Sequence, residues 1–598
     1  MTDTAENTVI EEIEISCPSC GADLGNDPNF LSVRVCSNCG RHFSMPAIER
    51  VAALLDTGSF RALREAATEG GAPEDVQASA LDRLASARER SVVREAIVVG
   101  TGTLGGTQVV IIALDDQLVG SQIGALGAEK IILALEYALS RRLPVIGIIA
   151  GGTSMIHTGP LANVQGVRIA NMAAQVQAMG IPMIGIVTHP TSAAVFNSFA
   201  SLFDLIFAEP GTSVGVVWSP DRPIDALLHA VSEAELLENG WIDGVMPRTA
   251  QHDKLTAIIG LLSHAENLEA VDHPSLPTDL DQPLVDYLNV VAAPFIEMRG
   301  DRVEYDDRGV VTGIGLVKDI PAALVVQDAK GSTNTTAAIR KIQRMARFAG
   351  RFELPLVMIV DGAAPTLPYS VTPGESFAAA KLMAMMSVVP IPVVSVGAGK
   401  VQGTVSHLMM SGDQRMMAAH ASYRIDGGNA PQTVTRSREW GARECLRMGL
   451  IDQMIEMPSG GVTADPWLAL RMVQENVHTA LVDLGKLGPR KLVERRARAN
   501  RELGHTEEGI AAVLGELHEW QDVQQSISRS IEDWRTKLEQ RLPSGERKER
   551  TEPRISLPSF QRPDLSELGA RFKAAQEQLT TNLLERTGRG GTGEDEQE

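Results

Sequence analysis

Aromatic residues make up only 4% of the chain, too few for a surface that stacks successive bases. Positive charge is in deficit as well. Lysine and arginine number 55 against 75 aspartates and glutamates, a net charge of −20, whereas holding a phosphate backbone needs a basic face. A general nucleic-acid binder is therefore not expected. Cysteine is sparse, and five in 598 residues cannot make the dense disulfide framework of a small secreted scaffold. No apolar run reaches the ~18 residues of a membrane span. The acidic start, MTDTAENTVIEEIEI, lacks the basic and apolar regions of a secretory signal. These absences predict a soluble cytoplasmic protein with no membrane segment. A nucleophile elbow, a phosphate loop and a dinucleotide fingerprint are missing too, and the 12 histidines do not cluster at metal spacing.

Four of the five cysteines fall together. Cys17-Pro-Ser-Cys20 is followed after fifteen residues by Cys36-Ser-Asn-Cys39. Each Cys-x-x-Cys can form a knuckle that offers two thiolates, and two knuckles complete a closed tetrahedral site for one Zn2+. A closed site leaves no coordination position for substrate, so the zinc is expected to be a structural staple for a segment too small to fold alone. A nucleic-acid-binding ribbon, suggested by Arg34, Arg41 and His42, is the lesser alternative.

The middle of the chain alternates strands and helices. IVVGTGTLGGTQVVIIALDD reads as two β-rich runs around a glycine turn. AEKIILALEYALSRR and QGVRIANMAAQVQAMG read as helices, LPVIGIIAGG and IPMIGIVTHP as buried strands. That rhythm implies a mixed or parallel sheet covered by helices. The order then recurs. Pro144 and Pro355 are 211 residues apart, Pro182 and Pro392 are 210, and Asp243 and Asp452 are 209. Any two α/β domains share a strand–helix rhythm, but not matching prolines and glycines, so the spacing predicts two homologous domains in tandem. The candidate chemistry sits in glycine-rich strand-to-loop turns, Ala150-Gly151-Gly152 in the first domain and Gly397 to Thr404 in the second. They are read as equivalent positions of the duplication. Glycines there let a ligand approach backbone N–H groups, which can serve as an oxyanion hole. The plain alternative is a tight turn against a neighbouring helix.

These stretches resemble the carboxyltransferase of bacterial acetyl-CoA carboxylase. The β-subunit pattern comes first: the four-cysteine ribbon, VAALLDTGSF, GTGTLGG, DDQLVGSQIGALGAEKI, GGTSM and FASLFDLIFAEPGTSVGV. The α-subunit pattern follows in RGDRVEYDDRGVVTGIG, LVMIVDGAAPTLPYSVTPGES and PIPVVSVGAGKVQGTVSHLMMSGD. The resemblance covers residues 15–460 and implies a β–α fusion. It implies an α/β fold of two tandem crotonase-like (ClpP/crotonase) domains behind the ribbon, with a helical C-terminal extension. It implies transfer of a carboxyl group from biotin on a separate biotin carboxyl carrier protein, charged by biotin carboxylase, to acetyl-CoA or another short acyl-CoA. Gly151 and Gly152 would hold the thioester oxygen, Gly403 and Thr404 the biotin ureido oxygen. The site would lie between domains of two chains in a homodimer.

The chain departs from the family in places. Gly151-Gly-Thr-Ser-Met155 lacks the family arginine at Ser154, Pro190-Thr-Ser-Ala-Ala194 replaces a Pro-Thr-Thr-Gly-Gly stretch, and Lys400 and Gln402 stand in for glycines. Positive φ at those two positions would cost on the order of 1 kcal/mol each. The departures motivate a second reading, a catalytically altered subunit with a regulatory or scaffolding role. A crotonase-like enzyme without biotin, or a zinc-ribbon interaction protein, is a third. GPRKLVERRARANRELG reads as a basic helix, and the stripe from Trp520 to Leu542 as a helix packed on its parent domain or a short coiled coil. The expected division is an acidic tail 1–14, ribbon 15–45, first domain 46–260, linker 261–295, second domain 296–480, helical extension 481–542, and a Pro-rich linker, short helix and disordered tail 543–598.

Overall fold

The computed structural model describes residues 16–63, 97–115, 123, 125–151, 161–215, 230–264, 288, 290–327, 335–362, 373–402, 409–425, 438–459, 465–503 and 529. The chain divides into two compact units, 1–521 and 522–598, and apart from residue 529 every described residue belongs to the first. The stripe from Trp520 to Leu542 thus lies outside the described residues, save that one position.

Two knuckles form the N-terminal ribbon, with α1 (Pro28–Val33) between them and α2 (Ala47–Leu54) leading out. Asp27 joins the parts, capping α1 through the N–H groups of Asn29 and Phe30 and accepting the Ser37 N–H at 2.7 Å. The first repeat then builds a mixed sheet. Its strands are β1 (Arg61–Ala62), β2 (Ile97–Leu104), β3 (Thr107–Leu114), β4 (Val145–Gly151), β5 (Met183–Ser192), β6 (Leu205–Ala208), β7 (Ser213–Gly215), β8 (Val231–Ser232) and β9 (Gly244–Val245). Between them run α3 (Ala125–Arg141), α4 (Leu161–Ala178), α5 (Ala193–Ser198) and α6 (Glu233–Glu238), and α7 (Gln251–Leu262) follows β9. The strand order is β1-β2-β3-β4-β5-β6-β9, with β7 on β5 and β8 on β7. Strand β4 is buried along its whole length, as expected of a parallel strand covered on both faces.

The second repeat reproduces this plan. Its strands are β10 (Phe295–Glu297), β11 (Val310–Val317), β12 (Ile320–Gln327), β13 (Leu356–Gly362), β14 (Val393–Gln402), β15 (Gln414–Ala418), β16 (Ser422–Ile425), β17 (Arg438–Gly441) and β18 (Gln453–Ile455). They are ordered β10-β11-β12-β13-β14-β15-β18, with β16 on β14 and β17 on β16. Helices α8 (Thr335–Arg351), α9 (Pro373–Val388), α10 (Ala442–Arg447) and α11 (Pro466–Gly485) take the places of α3, α4, α6 and α7, and α12 (Pro489–Glu502) is added.

The landmarks found in the sequence have matching structural duties. The carbonyls of Pro144 and Pro355 accept from Val110 and Ala323, and those of Pro182 and Pro392 from Val145 and Leu356. Asp243 and Asp452 each bind the start of the strand beside them, Asp243 through the Ile206 N–H and Asp452 through the Arg415 N–H, both at 2.8 Å. Asp204 and Asp413, also 209 apart, do the same for β5 and β14 through Met183 N–H and Val393 N–H, both at 2.9 Å.

The two repeats stack head to tail. One continuous apolar cluster runs from Ile111, Ile146 and Ile184 through Leu255 and Ile258 of α7 into Val325, Ile342 and Met345 of the second repeat. In the first repeat Val110 and Ile112 turn to the opposite face, against α3 and α4. Their counterparts, Ala323 and Val325, turn toward the first repeat instead. Unlike faces therefore meet, and the free face of the second sheet is covered by Val473, Val477 and Leu481 of α11 and Leu492 of α12. Charges lock the contact. Arg344 and Arg302 of the second repeat donate to the fully buried Asp243 carboxylate, Arg344 at 3.0 Å, and Arg351 pairs with Asp204. Gly240 and Gly300, both at positive φ, meet so closely that a Cβ on Gly300 would stand 2.1 Å from the Gly240 carbonyl oxygen. At the far end Arg496 of α12 donates to Asp413 at 2.6 and 2.8 Å, the role Arg351 has on Asp204.

Candidate functional site

The ribbon brings Cys17, Cys20, Cys36 and Cys39 together, with all four sulfurs within 4.8 Å of one another. The Cys17–Cys39 and Cys20–Cys36 sulfurs are 3.7 Å apart. A tetrahedron of metal–sulfur bonds ~2.3 Å long has edges of about 3.8 Å, so the donor set fits one tetrahedral ion. The sequence spacing placed these residues correctly.

The parallel strands of the first repeat end together, where open α/β sheets bind ligands. Gly151 closes β4 in the left-handed region, φ +70, a conformation glycine adopts without cost. It pairs with Thr191 of β5, but the register slips between Ile149 and Gly151. The slip is held by the hydroxyls of Thr188 and Thr191, which both donate to the Ile149 carbonyl at 3.2 Å. The bulge leaves His189 and Pro190 of β5 without pairing partners on β4. Residues 152–160, with Gly152, Thr153, Ser154 and His157, lie outside the described residues.

The second repeat carries the same irregularity, between Val360 and Gly362 of β13, where Gly362 pairs with Val401. This corrects the expectation that the two glycine turns are equivalent. The counterpart of Gly151 is Gly362, whereas the stretch from Gly397 continues β14, the counterpart of β5. Lys400 and Gln402 belong to that strand, pairing with Ser422 and Arg424. Neither is among the residues with positive φ, so the strain foreseen for them does not arise. Cross-strand hydrogen bonding fixes an extended backbone there, which a lysine or glutamine adopts freely. Lys400 occupies the place of Pro190. Gly403 and Thr404 lie outside the described residues.

A buried charge cluster escaped the sequence reading. Glu209, one residue past β6, accepts from Arg248 Nη2 at 2.7 Å and Gln251 Nε2 at 2.9 Å and pairs with Arg50 of α2. Burial opposes its ionisation, but the two guanidiniums outweigh that and hold its carboxyl down at about 2. Arg248 also donates to the carbonyls of Val33 and Phe43 at 2.8 and 3.1 Å, and its N–H to His42 Nε2 at 3.1 Å. These groups seat the ribbon on the first repeat. Four residues scattered over about 200 positions carry no local spacing signal that could have announced them.

Comparison with known proteins gives concordant matches. The family model described as "Acetyl co-enzyme A carboxylase carboxyltransferase-like" matches residues 248–504. The acetyl-coenzyme A carboxylase carboxyl transferase subunits beta/alpha of Salinispora tropica is 30% identical over 562 residues, covering 83% of this chain and 97% of that relative. The beta subunit of Desulforudis audaxviator is 32% identical over 259 residues, 42% of this chain and 92% of its own. Among solved structures, transcarboxylase 12S with hydrolyzed methylmalonyl-coenzyme A bound superposes with a TM-score of 0.54 at 17% identity, covering 74% of this chain and 90% of that one. That likeness shows the tandem crotonase-like fold.

Proposed function

Because the chain belongs to the acetyl-CoA carboxylase carboxyltransferase β/α family, we propose that it moves a carboxyl group from biotin on a separate carrier protein to acetyl-CoA, giving malonyl-CoA. The observation that carries this reading is the match to a fused beta/alpha relative along 97% of that relative's length. Carboxylated biotin supplies the carboxyl group. The chain's part is to hold developing charge. The backbone N–H groups of Gly151 and Gly152 receive the thioester oxygen as its α-carbon gives a proton to the biotin that has released CO2, and the α-carbon then bonds to that CO2. Those of Gly403 and Thr404 receive the ureido oxygen. Such donors contribute ~3–4 kcal/mol each to the transition state, and a closed site keeps water from protonating the carbanion. The four-cysteine site is read as Zn2+ in a structural role, and biotin carboxylase as the partner that charges the carrier. A homodimer is supported by exposed apolar residues on two equivalent helices, Val164 and Val167 on α4 and Phe377 and Val388 on α9, which suit burial between copies.

The test is the reverse reaction. Purified chain given malonyl-CoA and free biotin is expected to release acetyl-CoA. A folded, metal-loaded dimer that turns over no short acyl-CoA would reject the reading. That outcome would favour the second one, a regulatory or scaffolding subunit of a carboxylase complex, to which the presence of Lys400 and Gln402 in β14 lends its support.

A further inference from the structure

A cavity of ≈ 590 Å³ lies between the ribbon and the first repeat, within the ~300–1,000 Å³ usual for small-molecule sites. Its ribbon wall runs from Cys39 to Ser44, and its sheet wall is His189, Pro190 and Glu209 to Gly211, with Arg248 between. It therefore opens on the bulge of β5, whose next residue, Thr191, pairs with Gly151.

The chemistry of the lining is specific. Glu209 is one carboxylate shared by two guanidiniums, Arg50 and Arg248, and Arg248 lines the cavity beside it. Arg41 adds another guanidinium. Its Nη1 bonds the Ser19 hydroxyl at 2.5 Å and its guanidinium rests 5.6 Å from the Phe43 ring centre, and it has no carboxylate partner among the described residues. His189 meets Ser213 Oγ at 3.0 Å through Nδ1 and is itself exposed. Thiolates behind Cys39 would add negative charge on the ribbon side, but they cannot donate hydrogen bonds. The donors, Arg41 and His189, belong to the cavity. Phe43, Pro190 and Pro210 supply flat apolar surface beside them. Phosphate donors next to apolar faces, at the carboxyl ends of parallel strands, suit a phosphorylated nucleotide.

We propose that this cavity binds the 3′-phosphorylated adenosine diphosphate end of the acyl-CoA, with Arg41 and His189 on its phosphates and the ribbon as one wall of the substrate site. The assignment rests on the carboxyltransferase reading for the identity of the ligand. It makes the ribbon part of substrate recognition as well as a staple.

The full chain is titrated calorimetrically with adenosine 3′,5′-bisphosphate, as wild type and as Arg41→Ala, His189→Ala and Arg41→Lys. Wild type is expected to bind. Each alanine variant should weaken binding about tenfold, and the lysine variant should recover part of it. Thermal melts matching wild type establish that these exposed substitutions leave the fold intact. No binding to wild type, or equal binding by all variants, would overturn the proposal. The reverse assay separates the two ideas. Turnover with an unchanged KM for malonyl-CoA in both alanine variants removes the cavity and keeps the carboxyltransferase. Binding that the variants lose, in a chain without turnover, keeps the cavity and removes the reaction.

Discussion

Asp243 and Asp452 show how one residue type at one repeat position acquires different weight. Both anchor the strand beside them, but Asp243 is fully buried and shared with arginines of the second repeat, whereas the Asp452 side chain is 33% exposed and, among the described residues, pairs with Arg415 of its own repeat. Removing one partner of a buried charge pair typically costs ~3–5 kcal/mol. Asp243→Ala should therefore lose stability in that range by urea unfolding, and Asp452→Ala about 1 kcal/mol. Glu209 makes a prediction about acid. Its folded carboxyl is held at about 2, below the ordinary 4.5. Its contribution is complete above pH ~4.5 and disappears as pH falls from there toward 2, on the order of 3 kcal/mol in all. Melting temperatures of Glu209→Gln should start lower than wild type at pH 6 and fall less steeply between pH 5 and 3. The sequence revealed the Asp243–Asp452 match as a spacing. What it did not reveal was Asp204–Asp413, present at the same offset, or the arginines that neutralise them, because those arrive from other elements.

Among the elements, strands and helices with strong periodicity were legible. β4, β5, α3 and α4 lie where the apolar runs and helical spacing placed them. The strand-end bulges were not. A bulge is set by which hydroxyl reaches which carbonyl across two strands, here Thr188 and Thr191 on Ile149, and glycine content alone made the extended end of β14 read as a loop. The joint between the repeats is a further element-scale feature without a local signature. Gly240 and Gly300 touch backbone to backbone at positive φ. An alanine at position 300 combines left-handed strain of ~1–2 kcal/mol with a steric clash. Gly300→Ala should lower the melting temperature by several degrees, while the same change at Gly441, where a Cβ meets nothing, should leave it almost unchanged.

On the scale of the molecule, the duplication was legible from matching landmarks, but the stacking of unlike faces was not, since each strand's two faces are both apolar. Exposed apolar helices α4 and α9 supply the test of assembly. Phe377→Lys should convert a dimer to a monomer in light scattering without unfolding it, and a persistent dimer would place the contact elsewhere. The stacking itself has a consequence for how the particle ends. Two unlike faces that fit each other can go on fitting, copy upon copy, and such contacts grow fibres unless something stops them. Helix α12 closes the equivalent socket, its Arg496 standing on Asp413 as Arg351 of the second repeat stands on Asp204, in the manner of the end-caps of repeat proteins. Arg496→Glu, which sets two acids against each other there, should turn a single sedimenting species into a concentration-dependent ladder, and a boundary that stays single would show that the chain is finite for another reason.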